Sequence, residues 1–266
     1  MIDIHAHLLP GVDDGPENWE ETLSMLQTGV MDGISGVVCT SHVVDYLSKE
    51  LENEFKEKFQ QLKKTVKRER MGISLWLGSE MHYYASYNHR SKVATLNGNG
   101  KYILLELPFI EIPNDVGETI FQIALKGRIP IIAHPERNLT IIRKPELLYE
   151  LVQRGALLQI NAGSLTGGFG RNIKRLATQL FDHQMVHFVA SDCHSPRSRP
   201  MILSKAYGAI SKRWGEDRAE QVLRINPHKA IMGEKIYPPE PIPFDERIRR
   251  RRGRFHFPFF RHSSTG

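Results

Sequence analysis

The sequence predicts an α/β fold, with parallel strands arranged as a (β/α) barrel, and three observations carry that expectation. Short apolar, β-branched runs alternate with longer amphipathic stretches along the whole chain. The runs are apolar throughout, as strands covered on both faces are. No glycine-rich nucleotide fingerprint accompanies them, and seven such strands suit a barrel better than an open doubly wound sheet.

Taken in order, strands are expected over residues 2–5, 36–40, 73–78, 102–107, 129–134, 157–161 and 187–191. The spacing predicts helices between them over 17–32, 50–70, 116–126, 145–154, 172–183 and 200–214. The second helix is long and heavily charged, as a solvated outer helix should be. Gly167, Gly168 and Gly170 lack the lysine and spacing of a phosphate-binding loop, so they read as a tight connection into the next helix. No internal repeat is visible.

The chain has 266 residues, 40% of them hydrophobic and 25% charged, which is the composition of an ordinary globular protein. It holds no apolar run near the roughly 18 residues that a membrane helix needs. A formal charge of +6 suggests a polyanionic partner, yet its location argues otherwise. Residues 238–266 carry seven Arg against Glu240, Asp245 and Glu246, which leaves only +2 on residues 1–237. The expected division is therefore a folded domain over 1–237 and a flexible Pro/Arg/Phe-rich tail over 238–266. Cys39 and Cys193 give no disulfide framework, and the N-terminal segment has no signal-peptide core, so a cytoplasmic setting is expected.

Polar residues collect where the strands end. His5, His7, Asp13 and Asp14 follow the first, His42 the second and Glu80 the third, while Glu106 lies in the fourth. His134 ends the fifth, and Asp192 and His194 follow the seventh. In parallel barrels such ends share one mouth. Alternate residues of a strand share a face, so His5 and His7 can reach one ion, and Asp192 and His194 repeat that spacing. Imidazole and carboxylate suit manganese, iron or zinc, and the lack of thiolates argues against a closed structural zinc site. A carboxylate within the apolar LLEL run costs several kcal/mol unless it is paired, so Glu106 needs a partner. The nine candidates His5, His7, Asp14, His42, Glu80, Glu106, His134, Asp192 and His194 exceed the needs of one ion, and two or three are expected.

DIHAHLLPGVDDG, TSH, GSE, LLELP, IAHPER, LQINAGSLTGGFG and ASDCH, in that order, resemble the PHP (polymerase and histidinol phosphatase) family over about residues 1–237. They are most similar to its capsule and exopolysaccharide protein-tyrosine phosphatases. The resemblance implies a distorted (β/α)7 barrel with three metals, commonly manganese. It places His5, His7, Glu80 and Asp192 on the first metal, with Glu80 bridging to a second that Glu106 and His134 complete. Asp14, His42 and His194 would hold the third. Val43 stands where that family usually carries another His, and the tail has no counterpart in it.

The activity so implied is phosphotyrosine hydrolysis by a metal-bound hydroxide, with Arg137 and Arg199 clamping the phosphate bidentately. The implied partner is a tyrosine-phosphorylated protein, such as a bacterial tyrosine kinase of polysaccharide export. The same scaffold also suits a small phosphomonoester such as histidinol phosphate. Cys193 and Arg199 match the bare C-x5-R spacing of thiol phosphatases, but Pro196 removes an amide donor and Asp192 disfavours a thiolate. The arginine–aromatic tail is suited to an anionic membrane face, which would set the enzyme at the inner side of the membrane. No nucleic-acid motif is present, and a homo-oligomer is compatible with the sequence. Met81–Tyr84 is a candidate lining for the mouth.

Overall fold

The computed structural model of the protein describes residues 1–87 and 91–244. Its strands are β1 (Ile2–Ala6), β2 (Gly36–Cys39), β3 (His42–Val43), β4 (Tyr46–Leu47), β5 (Ser74–Leu77) and β6 (Glu80–His82). They continue as β7 (Ser86–Tyr87), β8 (Tyr102–Glu106), β9 (Ile129–Ala133), β10 (Leu157–Asn161) and β11 (Phe188–Ala190). Every pairing is parallel, in sheets of order β1-β2-β5, β11-β10-β9-β8-β6-β3 and β4-β7.

The second and third expected runs form β2 and β5, and each is followed, after a break, by a further short strand that was not expected. β3 follows the break at Thr40 and Ser41, β6 follows the one at Gly78 and Ser79, and both belong to a different sheet. Backbone bonds carry the pairing across both gaps, from Gly78 N–H to Cys39 O at 2.9 Å and from Glu80 N–H to Ser41 O at 3.1 Å. Thr40 causes part of the break, because its hydroxyl takes the Ala6 N–H at 3.0 Å in place of a ladder carbonyl. Beyond β11 the chain returns to β1: Ala6 bridges Cys193, Asp192 N–H bonds His5 O, and His7 N–H bonds Cys193 O, both at 2.9 Å.

Helices alternate with these strands, as α1 (Trp19–Met31), α2 (Lys49–Arg68), α3 (Val116–Leu125), α4 (Leu139–Arg143) and α5 (Glu146–Gln153). There follow α6 (Ala162–Thr166), α7 (Arg171–Asp182), α8 (Ser204–Trp214), α9 (Glu216–Glu220) and α10 (Asn226–Met232). Asn18 caps α1 by accepting from Glu21 N–H, and Ser48 caps α2 by accepting from Leu51 N–H. The long helix α2 buries Phe55, Phe59, Leu62 and Val66 on one stripe and leaves its charges outward. Helices α4, α6, α9 and α10 are not among the expected elements, being too short to show a helical period.

Ile242 and Phe244 return to the end of α7, where Ile242 O meets His183 Nδ1 at 2.8 Å and the Phe244 ring stacks on His183. The Arg-rich part of the expected tail, residues 245–266, lies outside the described residues. Among the described residues, no helix is long and apolar enough to cross a membrane.

Candidate metal centre

All nine predicted ligand residues meet at the carboxyl ends of the strands. Their donor atoms fall into four overlapping groups, each spanning no more than 4.8 Å. The groups are His7, Asp14, His42 and His194; His5, His134 and Asp192; His5, His7 and Glu80; and His42, Glu80 and Glu106. Glu80 is the hub: its Oε2 lies 3.0 Å from His5 Nε2, 3.3 Å from His7 Nε2 and 3.1 Å from His42 Nδ1. Its Oε1 lies 3.0 Å from His134 Nε2. Asp14 is the most exposed of the set, at 66%, yet its Oδ1 is within 3.4 Å of His42 Nε2 and 3.3 Å of His194 Nε2. Two of these residues stand on left-handed backbone, His134 at φ 29° and Asp192 at φ 53°, a conformation costing about 1–3 kcal/mol that persists where surroundings enforce it.

The donor chemistry fits cations on an observation independent of spacing. His5 Nδ1 lies 2.8 Å from Gln159 Oε1, and His7 Nδ1 lies 2.8 Å from Asp13 Oδ2. Each of these oxygens accepts, so each imidazole carries its proton on Nδ1 and turns a lone pair inward on Nε2. The two Nε2 atoms are 3.2 Å apart, with Glu80 Oε2 beside both. Three lone pairs then face one point in a buried cluster, and an ion is what reconciles them. Glu80 Oε2 and Asp192 Oδ1 are also buried oxygens with no hydrogen-bond donor.

Electrostatics describe the same strain in the cluster without an ion. Burial opposes charge on His5 and His7, but Glu80 and Asp192 lift His5 to about 9, and Asp13 and Glu80 lift His7 to about 10. Burial and the neighbouring Glu80 push Glu106 up to about 7, while His194, buried and beside His7, drops to about 3. Burial works against the Glu80 and Asp192 carboxylates too, yet His5 and its neighbours hold both well below the usual range.

Both predicted arginines reach the centre through the outer oxygen of Asp192. Arg137 Nη1 lies 3.1 Å from Asp192 Oδ2, and Arg199 Nη2 bonds the same atom. The Arg137 guanidinium is sandwiched, 4.8 Å from the ring of Phe109 and 4.8 Å from that of Phe169. Phe109 in turn lies parallel to the His134 ring. Glycines in and after α6 serve this arrangement: Gly167 takes φ 98°, and a Cβ on Gly163 would stand 2.9 Å from the Phe169 ring.

The family model for capsular polysaccharide synthesis, CpsB/CapC, matches residues 1–232. The chain belongs to that family. The tyrosine-protein phosphatase YwqE of Bacillus subtilis is 34% identical over 91% of this chain and 96% of its own length. The tyrosine-protein phosphatase CpsB of Streptococcus pneumoniae is 30% identical over 89% of this chain and 100% of its own. A crystal structure described with YwqE and CpsB as unique metal-dependent tyrosine phosphatases superimposes at TM-score 0.82, with 32% identity over 91% of this chain and 99% of that one. The α/β architecture extends further, to a β-aspartyl dipeptidase of Fervidobacterium islandicum at TM-score 0.51 and 15% identity.

Within this CpsB/CapC chain the grouping of the nine residues differs from the family-based expectation in three places. His7 also joins Asp14, His42 and His194, His134 groups with His5 and Asp192, and His42 also joins Glu80 and Glu106. Val43 lies in the core. Supporting residues outside the nine candidate ligands are Asp13, Gln159, Asn161, Glu136, Phe109 and Phe169. A buried chain runs from Asp192 Oδ2, which accepts from Asn161 Nδ2 at 2.6 Å, to Asn161 Oδ1, which accepts from Gln159 Nε2 at 3.0 Å, and on to His5. Glu136 Oε1 accepts from Asn161 N–H at 2.9 Å and Ser164 Oγ at 2.6 Å, fixing the end of β10. The polar Gln159 and Asn161, two apart in an otherwise apolar strand, were the available signal.

Cys193 is fully buried, and burial, followed by Asp3, pushes its thiol far up. Such a thiol is inert as a nucleophile. Tyr83 turns inward and donates to Asp115 Oδ1 at 2.9 Å, whereas Tyr84 is 61% exposed.

Proposed function

We propose that this chain is a metal-dependent protein-tyrosine phosphatase acting in capsular or exopolysaccharide synthesis. One observation carries the reading: the inward lone pairs of His5, His7 and Glu80 sit directly beside two guanidinium groups gathered on Asp192. A cation cluster and paired arginines together suit a phosphoryl dianion. We assign His5, His7, Asp14, His42, Glu80, Glu106, His134, Asp192 and His194 to two or three ions, manganese first, with iron and zinc as alternatives. Bound there, the ions supply Lewis acidity and a nucleophile at neutral pH.

The protein's own residues do the rest. Gln159 and Asp13 fix the His5 and His7 tautomers, so that both rings present Nε2. Arg137 and Arg199 bind the phosphoryl oxygens, and the aromatic sandwich keeps the Arg137 plane fixed. Phenolate, with a pKa near 10, leaves more readily than an alkoxide, so the burden on a proton donor is small.

The seven expected strand runs, followed through their two breaks and the Ala6–Cys193 bridge, support a closed (β/α)7 ring. The substrate is read as a tyrosine-phosphorylated protein, a bacterial tyrosine kinase of polysaccharide export being the leading candidate. A cytoplasmic setting agrees with two free, buried cysteines.

Metal analysis of purified protein, with initial rates on phosphotyrosine peptide and on histidinol phosphate, tests the reading. Bound metal, peptide hydrolysis abolished by chelation, and loss of both in His42→Ala are expected. A metal-free protein whose rates ignore chelator would overturn it, and preference for histidinol phosphate would reassign the substrate.

A further inference from the structure

A cavity of about 200 Å³ is lined by Arg199, whose guanidinium bonds Asp192 of the ligand cluster. Its walls are mostly small or apolar, with Gly163, Phe169, Ile202 and Ala206 among them. Among the described residues, Arg199 and Lys205 are its only charged lining residues, and both are cations. Lys205 is exposed and has no acidic partner among the described residues. The Arg199 Nε is buried and finds no acceptor, although the other end of that guanidinium is spent on Asp192. A cavity with an unpaired ammonium at its rim, a second cation in its wall and an apolar floor is complementary to one short anionic side chain.

We infer that this cavity is a subsite for a Glu or Asp side chain of the substrate segment, close in sequence to the phosphotyrosine. The inference rests on the phosphatase reading above and adds to it a sequence preference. Arg199 spans the two places, with one nitrogen on Asp192 at the phosphate site and its side chain forming part of the cavity wall. An extended peptide advances about 3.3 Å per residue, and Arg199 belongs to both places, so the carboxylate would come from a residue near the phosphotyrosine in sequence. The aliphatic stem of a Glu would lie against Ile202 and Ala206, and its carboxylate would meet Lys205.

The test uses metal-loaded full-length protein and three phosphotyrosine peptides carrying Glu, Ala or Lys at the flanking positions. 4-Nitrophenyl phosphate, which has no flanks, serves as the control. Wild-type protein is expected to favour the Glu peptide over the Lys peptide by about tenfold in kcat/KM, chiefly through KM, as rim charge pairs do. Lys205→Ala should shrink that ratio, and Lys205→Glu should reverse it. Both variants should keep the wild-type rate on 4-nitrophenyl phosphate, since Lys205 is exposed and touches no ligand residue. Equal use of the three peptides by wild type, or an unchanged ratio in Lys205→Glu, overturns the subsite. Failure of the phosphatase reading is distinct, since wild type would then hydrolyse neither control nor peptides.

Discussion

Replacing Phe169 with Leu tests whether the aromatic sandwich acts on phosphate binding through Arg137. Leucine keeps an apolar side chain over Gly163 but removes the π face that attracts the guanidinium. The guanidinium sits 4.8 Å from the Phe169 ring centroid, inside the roughly 6 Å reach of a cation–π contact. The Arg137 side chain is 19% exposed, between the wet limit of about 0.5–1 kcal/mol and the desolvated limit of about 2 kcal/mol. About 1 kcal/mol is therefore at stake, or about fivefold in kcat/KM. The assay is a double-mutant cycle on 4-nitrophenyl phosphate with Phe169→Leu, Arg137→Ala and both together. Phe169→Leu should cost about fivefold alone and less than about twofold in the Arg137→Ala background, giving a coupling near 1 kcal/mol. Phe169→Tyr should restore the rate, because its ring retains the quadrupole. An equal loss with and without Arg137 would refute the reasoning, since the ring would then act only on packing.

Three further outcomes follow from the surroundings of the cluster. Gln159→Leu removes the acceptor that fixes the His5 tautomer and should weaken metal affinity by about 10–100-fold, measured by chelator competition, whereas Gln159→Glu should retain it. Cys193→Ser should leave the rate of the folded protein within about twofold, and loss of activity with metals intact would revive a thiol mechanism. His187 is held near 3 by burial and by Arg218, well below its unfolded value of about 6.5. Between those values the unfolded chain binds a proton that the folded chain refuses, so stability is full above 6.5 and falls by about 1.4 kcal/mol per unit as pH drops. Denaturant titrations from pH 4 to 6 should show that slope flattened in His187→Asn, which can still accept from Leu158 N–H; parallel slopes would exclude His187 as the cause.

The metal ligands were legible because each sits where a strand ends, and strand ends are marked by a switch from β-branched residues to His, Asp or Glu. The assignment within the DDG segment was less accessible. Asp13 and Asp14 are chemically identical neighbours, and only the backbone path turns Asp13 inward to His7 and leaves Asp14 at the rim. The strand breaks at Thr40–Ser41 and Gly78–Ser79 were hidden because the apolar runs continue close to them while pairing passes from one sheet to another. Phe109 and Phe169 could not be found from spacing at all. They are 60 residues apart in the chain and meet only through Arg137, so no local period joins them.

Asp192 is where these parts become one device. Its Oδ1 faces His5, His7 and His194 at 3.4–3.7 Å, while its Oδ2 receives Asn161, Arg137 and Arg199. Three donors, two of them fully charged, exceed the two lone pairs of that oxygen. An incoming phosphoryl group offers three oxygens with matching charge and fork geometry, so one guanidinium can transfer to it and leave Oδ2 fully satisfied. The left-handed turn at Asp192 sets where the carboxylate stands between the two sets of groups, and Asp3 holds the preceding residue by accepting from Ser191 N–H at 3.1 Å and from its hydroxyl at 2.5 Å. A relaxed backbone there would swing the carboxylate away from either the cations or the arginines. The strain at one residue therefore couples the metal cluster to the phosphate clamp.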